Sequence, residues 1–248
     1  MKLAHPHFVL ALCAWLSICA KAAPADLQDK TVRVIYLVSS DRQIQTNYVE
    51  ALERAIKELQ GWYGQQLNGP TFRLHEPSVE VVHSSQKADW FYGHPNGSNK
   101  DDWGFNNALA EAARLLGARF NHPHYIWVIY SDGPGNKGRG TSGVTCLPED
   151  DLLGLIGKHP TQKNPKRWVY GLGHELGHGL GLPHPPDTKK DNDALMWAGF
   201  YLPHPEKAYL TESDKKTLLR TPFISSISDV QSEIRVSPVP SPAPQSRN

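Results

Sequence analysis

Residues 174 to 184 read His-Glu-Leu-Gly-His-Gly-Leu-Gly-Leu-Pro-His, a run that sets three imidazoles and a carboxylate at spacings few local structures can bring together. An α-helix turns once in 3.6 residues, so His174 and His178 leave the same face one turn apart. Gly181 allows a sharp exit, and a turn there swings His184 back toward the same point. Three neutral imidazoles so placed suit one Zn²⁺ ion at Zn–N distances of about 2.0–2.1 Å and leave the fourth tetrahedral position to solvent, as in a catalytic site. In a chain with 12 His among 248 residues, His-Glu-x-x-His alone arises readily. Requiring Gly181 and His184 as well lowers the chance expectation to roughly one such chain in ten thousand.

The flanking residues predict a helix with two different sides. Asn164 followed by Pro165 supplies an N-cap and a first-turn proline, so the helix begins there and ends near Gly181. Trp168, Leu172, Leu176 and Leu180 recur every four residues as an apolar stripe for the core, about 200° around the axis from His174 and His178. The ligand face then forms the floor of a cleft. Gly171, Gly173, Gly177 and Gly179 each cost about 0.5–1 kcal/mol relative to alanine in such a helix. Either backbone or substrate approaches closely there, or the helix is a weak one held by tertiary packing.

On these residues the chain resembles the metzincin clan of zinc endopeptidases. The clan signature HExxHxxGxxH matches His174, Glu175, His178, Gly181 and His184 without substitution. The clan also carries a methionine-containing turn beneath the metal, and Met196 in Ala194-Leu195-Met196-Trp197 follows the third histidine by twelve residues. A core-filling methionine is the other reading of Met196. The resemblance covers residues 165 to 200 and a final helix after Leu210. The tyrosine that some families place two residues beyond the methionine is absent, since Ala198 stands there, and no family within the clan is assigned.

What the resemblance implies agrees with the chemistry of the residues. Zinc held by three neutral ligands acidifies water at its open position toward a pKa of about 7. Glu175, beside His174, is then the general base that takes the proton and passes it to the departing amine of a peptide bond. An ordinary surface carboxylate is the alternative role for Glu175. Two rival functions stand beside the endopeptidase: a zinc-binding protein without turnover, and a zinc hydrolase of a non-peptide amide bond.

Residues 1–22 read as a secretory signal peptide, with Lys2 ahead of an apolar run from Phe8 to Ala20 and small residues at Ala20-Lys21-Ala22. That run is too short for a transmembrane helix. A secreted or periplasmic protein follows, and Leu16-Ser17-Ile18-Cys19 weakly resembles a lipoprotein signal that would anchor the chain through Cys19. Without Lys2 and Lys21 the net charge is −1, which gives no reason to expect nucleic acid or an anionic membrane as partner. A peptide or protein substrate and a monomer are expected. Cys146 alone remains after residue 22, so the catalytic domain, residues 23–232, must be stabilised by its core rather than by a disulfide. Cys146 reads as a buried small hydrophobe, or as a thiolate that occupies the zinc in a latent form.

The expected fold is α/β: strands at Thr31–Val38, Ser78–His83 and Tyr125–Tyr130, with a helix whose apolar positions run from Ile44 to Trp62 and another over about 106–116 ending at Gly117. This order predicts a mostly parallel twisted sheet with packed helices and a small lower part after residue 181. Residues 88–107 are aromatic and polar and read as a loop beside the cleft. Gly133 to Gly140 reads as a mobile loop, and Thr141–Thr145 as either an edge strand for an extended peptide or a surface loop. Thr211 to Asp214 resembles a capping box opening a last helix, with Leu218 and Leu219 packed beneath. Residues 233–248 form a proline-rich tail expected to be extended and disordered.

Overall fold

The computed structural model describes residues 30–225, so the signal peptide, Cys19 and the proline-rich tail lie outside the described residues. The β-branched run Thr31–Val38 forms β1, and β2 (Thr71–Phe72) pairs far along the chain with β7 (Ile224–Ser225) in a separate two-stranded ribbon. In the main sheet β1 lies between β3 (Glu80–His83) and β4 (Tyr125–Ser131), parallel to both, with Ile35 opposite Glu80 on one side and Ile129 on the other. Next come β6 (Val144–Leu147), parallel to β4, and β5 (Arg139–Thr141), antiparallel at the edge, in the order β3-β1-β4-β6-β5. This is the mostly parallel α/β sheet that the sequence leads one to expect.

Parallel strands covered on both faces need apolar side chains on both, and β1 and β4 supply them. Val32, Val34, Tyr36, Val128 and Tyr130 pack against α1 (Thr46–Gln66), while Ile35, Leu37, Trp127 and Ile129 pack against α2 (Ala88–Gly93) and α3 (Trp103–Leu116). The second core also encloses Cys146, whose thiol is pushed up by burial, so it is a buried hydrophobe rather than an accessible thiolate. Gly117 ends α3 at φ +74°. The first core continues through α4 (Glu149–Leu155), α5 (Pro165–Gly179) and α6 (Glu212–Leu218), the last opened by a reciprocal Thr211–Asp214 capping box.

Four local expectations change. Ile44 precedes α1 and is largely exposed, because the helix starts only at Thr46. Residues 88–107 are not simply a loop: α2, a 3₁₀ turn at Lys100–Asp102 and the start of α3 occupy them, driven by burial of Phe91 and Phe105. The edge strand is Arg139–Thr141 rather than Thr141–Thr145, since Ser142 and Gly143, at φ +45° and +87°, make the tight turn of a hairpin into β6. Leu218 is buried, but Leu219 points outward. No helix among the described residues is long and apolar enough to cross a membrane.

Glycines let α5 sit unusually close to its neighbours. A Cβ on Gly177 would collide with the Met196 thioether, and one on Gly140 of β5 would collide with the Glu175 carbonyl. Outside donors exploit that access: the Tyr63 hydroxyl donates to Gly173 O at 2.9 Å, Thr145 Oγ1 to Glu175 O at 3.0 Å, and the Gly143 N–H to Gly179 O at 2.9 Å. Overpacking costs about 1–3 kcal/mol, which is several degrees in Tm at this size, so Gly140→Ala is expected to lower Tm measurably. Gly61→Ala, in α1 where an added Cβ meets nothing within 4 Å, is expected to raise Tm slightly. Thermal unfolding followed by circular dichroism separates the two; a neutral Gly140→Ala would show that β5 is not tightly docked on α5.

Candidate metal centre

The helix that carries the candidate ligands is defined at both ends by local chemistry. Asn164 caps it by accepting from the Lys166 N–H at 3.1 Å, and Pro165 occupies the first turn. At the far end Gly181 adopts φ +95°, the Leu182 N–H donates to Gly177 O at 2.9 Å and the Gly181 N–H to His178 O at 3.0 Å. This pair of bonds is a Schellman motif, and it reverses the chain so that residue 184 returns to the helix face. Trp168, Leu172, Leu176 and Leu180 are all buried in the first core, as their spacing predicts.

His174, His178 and His184 converge as a group able to hold a metal ion. The Nε2 atom of His178 lies 3.1 Å from Nε2 of His174 and 3.1 Å from Nε2 of His184. Two nitrogens on a tetrahedral ion at Zn–N of about 2.0–2.1 Å would be separated by about 3.3–3.4 Å, so the spacing fits that ion closely. The tautomers fit as well. His174 Nδ1 is 2.7 Å from Leu195 O and His178 Nδ1 is 2.8 Å from Leu182 O. A carbonyl only accepts, so both Nδ1 atoms carry the proton and both Nε2 atoms present bare lone pairs to one another. Lone pairs facing at that distance call for a cation between them.

Burial favours the neutral form of His174 and His178. Desolvation pushes His174 down to about 4, opposed in part by its bond to Leu195, and lowers His178 for the same reason. Burial rises along the trio in reverse order: His184 is exposed, His178 half-buried and His174 buried, so the group opens to solvent on the His184 side. Met196 is fully buried beneath α5 with its thioether against Gly177. Glu175 is half-buried, and its carboxyl is pushed up to about 7 by desolvation, partly offset by the Gly140 N–H and by Arg139, Arg167 and Lys137. His75, His83, His94, His122, His124, His159 and His204 take no part in this group.

The group's other neighbours come from outside α5. Trp197 stands edge-on to His184 with ring centroids 5.3 Å apart, and Phe200 lies 4.7 Å from His174. On the other side of His178 a cleft of about 490 Å³ is lined by Thr141, Ser142, Gly143, His122, Leu182 and Pro183 among others. Arg139 of edge strand β5 pairs with Asp102, and Lys137 just ahead of the strand pairs with Asp101 at 3.6 Å. The Leu195 and Leu182 carbonyls leave no trace in the sequence, because any residue type supplies one. The aromatic residues after Met196 are visible, but their placement is not.

Comparisons with known proteins bear on the fold. No protein-family model and no curated protein matches the sequence. A catalytically inactive OgpA from Akkermansia muciniphila, solved in complex with an O-glycopeptide (glycodrosocin) substrate, superposes with TM-score 0.53 at 21% identity over 79% of this chain and 63% of that one. The chain thus shares that fold and spans under two thirds of the OgpA chain. Archaemetzincin from Methanopyrus kandleri (TM-score 0.40, 15% identity, 76% of this chain and 94% of that one) and a zinc-dependent peptidase from Methanocorpusculum labreanum (0.30, 13%, 74% and 99%) are more distant. The fold likeness rests on the first.

Asp151 of α4 faces Arg167 and Glu175 from inside the core, and burial raises its carboxyl to about 7, with Arg167 opposing. A carboxyl that binds its proton more tightly folded than unfolded, where it sits near about 3.9, adds stability at low pH that is lost as pH rises through about 7. Asp151→Asn keeps the neutral form throughout. The variant is expected to gain Tm over the parent at pH 8 and to lose most of that gain at pH 5; a gain independent of pH would contradict this account.

Proposed function

We propose that this protein is a zinc-dependent endopeptidase of metzincin type, with His174, His178 and His184 holding one zinc ion and Glu175 acting as general base. The observation that carries the reading is the convergence of the Nε2 atoms while two of the rings are fixed from behind by backbone carbonyls. When bound, zinc would supply Lewis acidity that activates water and polarises a carbonyl. The chain's own residues do the rest.

Glu175 sits one residue from His174 with a carboxyl poised near neutrality, suited to accept a proton from the attacking water and to return it to the departing amine. Gly140 and Arg139 of β5 border it, and β5 is the edge of the sheet. An edge strand offers backbone donors and acceptors to an extended peptide, which would lie along β5 with its scissile bond over the histidines. Trp197 and Phe200 would wall one side of that path, and the cleft beside His178 would receive a side chain on the other. An exported location, secreted or periplasmic, and a monomeric state complete the proposal.

The test is cleavage of a proteome-derived peptide library by the zinc-loaded chain, with O-glycosylated Ser/Thr peptides included because the OgpA complex holds one. We expect cleavage within peptides and about one zinc per chain by mass spectrometry. Glu175→Gln should retain zinc and lose roughly 10²–10⁴-fold in rate, a typical contribution of general acid–base catalysis. His184→Ala should bind zinc more weakly and lose activity. Zinc binding without cleavage of any peptide, or unchanged cleavage by Glu175→Gln, contradicts the proposal.

A further inference from the structure

Arg167 precedes His174 by seven residues on α5, close to two full turns, and so shares the ligand face. Its head group reaches toward the histidines. A Cβ on Gly171 would lie 2.5 Å from Arg167 Nη1, which puts the guanidinium over Gly171, one turn from His174. Aromatic rings hold it there: the centroids of Tyr201, Phe200 and Trp168 lie 4.3, 4.5 and 5.0 Å from Cζ. Phe200 also lies beside His174, its ring tilted 53° to the imidazole with centroids 4.7 Å apart, so one wall of the site runs from a candidate ligand ring to this cation.

That cation has no carboxylate of its own. Among the described residues the Arg167 guanidinium makes no ion pair and no hydrogen bond, whereas Lys137 and Arg139, the other cations at this end of the site, are paired with Asp101 and Asp102. Asp151 and Glu175 feel its charge only at longer range. Three rings surround the guanidinium, and among the described residues none of its N–H groups is used in a hydrogen bond. A planar fork of donors, half-buried and pre-oriented, is the group best suited to take a carboxylate through two parallel hydrogen bonds.

We propose that Arg167 is a specificity-determining residue that receives a carboxylate of the substrate, from an Asp or Glu side chain or from the C-terminus, beside the scissile bond toward the N-terminal half of α5. This rests on the peptide-hydrolase reading of the site. Tyr201, 65% exposed, borders the entrance to this position.

The test compares N-acetylated hexapeptide pools that differ only in Glu, Gln or Lys at each position in turn, all amidated, with a further Gln pool left as the free acid. Zinc-loaded wild type is expected to cleave Glu pools at one position at least tenfold faster in kcat/KM than the matching Gln pools, the scale of one charge-assisted contact being roughly ten- to a hundredfold. Arg167→Ala should bring the two within about twofold of each other, the Glu-to-Gln ratio being the readout because Arg167 also acts on the Glu175 carboxyl, and Arg167→Lys should keep part of the preference. A preference confined to the free acid identifies the C-terminus as the source. Calorimetric binding of the same pools to Glu175→Gln should follow the same order without turnover. Equal use of the Glu, amidated Gln and free-acid Gln pools by wild type, or a preference that Arg167→Ala leaves intact, overturns the assignment and leaves peptide hydrolysis standing. Glu-selective binding that depends on Arg167, with no cleavage of any pool, keeps the assignment and removes the hydrolase reading; absence of selective binding overturns it.

Discussion

Two backbone carbonyls govern the centre. An imidazole presents a usable lone pair only when its other nitrogen holds the proton and its ring is turned correctly, and Leu195 O and Leu182 O meet both requirements for His174 and His178. Each carbonyl belongs to a segment with its own reason to be where it is. Leu182 follows the Schellman turn that ends α5, while Leu195 sits beneath the helix beside Met196, with its own N–H bonded to Tyr209 O at 2.8 Å. The turn that returns His184 to the helix therefore also orients His178. The segment beneath the helix orients His174.

The close approach of these segments follows from the glycines of α5. In an isolated helix they weaken the structure, but here they leave backbone carbonyls open to Tyr63, Thr145 and Gly143 and leave room for Met196. The helix is thus held from the sheet side, from α1 and from below by contacts its own sequence could not supply alone. That packing fixes the three candidate ligands relative to one another. The same closeness brings β5 over Glu175, so the edge of the sheet and the candidate base belong to one packed unit.

Legibility from sequence divides along local and non-local chemistry. The limits of α5, the apolar stripe and the end of α3 at Gly117 follow from caps, prolines, glycines and spacing within one segment, and all were readable. So was the burial of β4, whose run of apolar residues leaves little choice. Ile44 was misplaced because its spacing fits the helix period although the chain does not turn until Thr46. Reading Gly133 to Gly140 as loop hides the register of β5 and β6, although the Ser142-Gly143 pair carries the signal for a hairpin. Arg167 stands at a helical spacing from His174, yet two of the three rings around it, Phe200 and Tyr201, lie more than thirty positions on, beyond any pattern within α5.

Because the account depends on neutral rings fixed from behind and open in front, X-ray absorption at the zinc edge of the zinc-loaded chain tests it most directly. Three nitrogen donors at about 2.0–2.1 Å and one oxygen donor, with the imidazole count falling from three to two in His184→Ala, are the expected result. A shell of four protein ligands, a sulfur donor, or an unchanged shell in His184→Ala would contradict it.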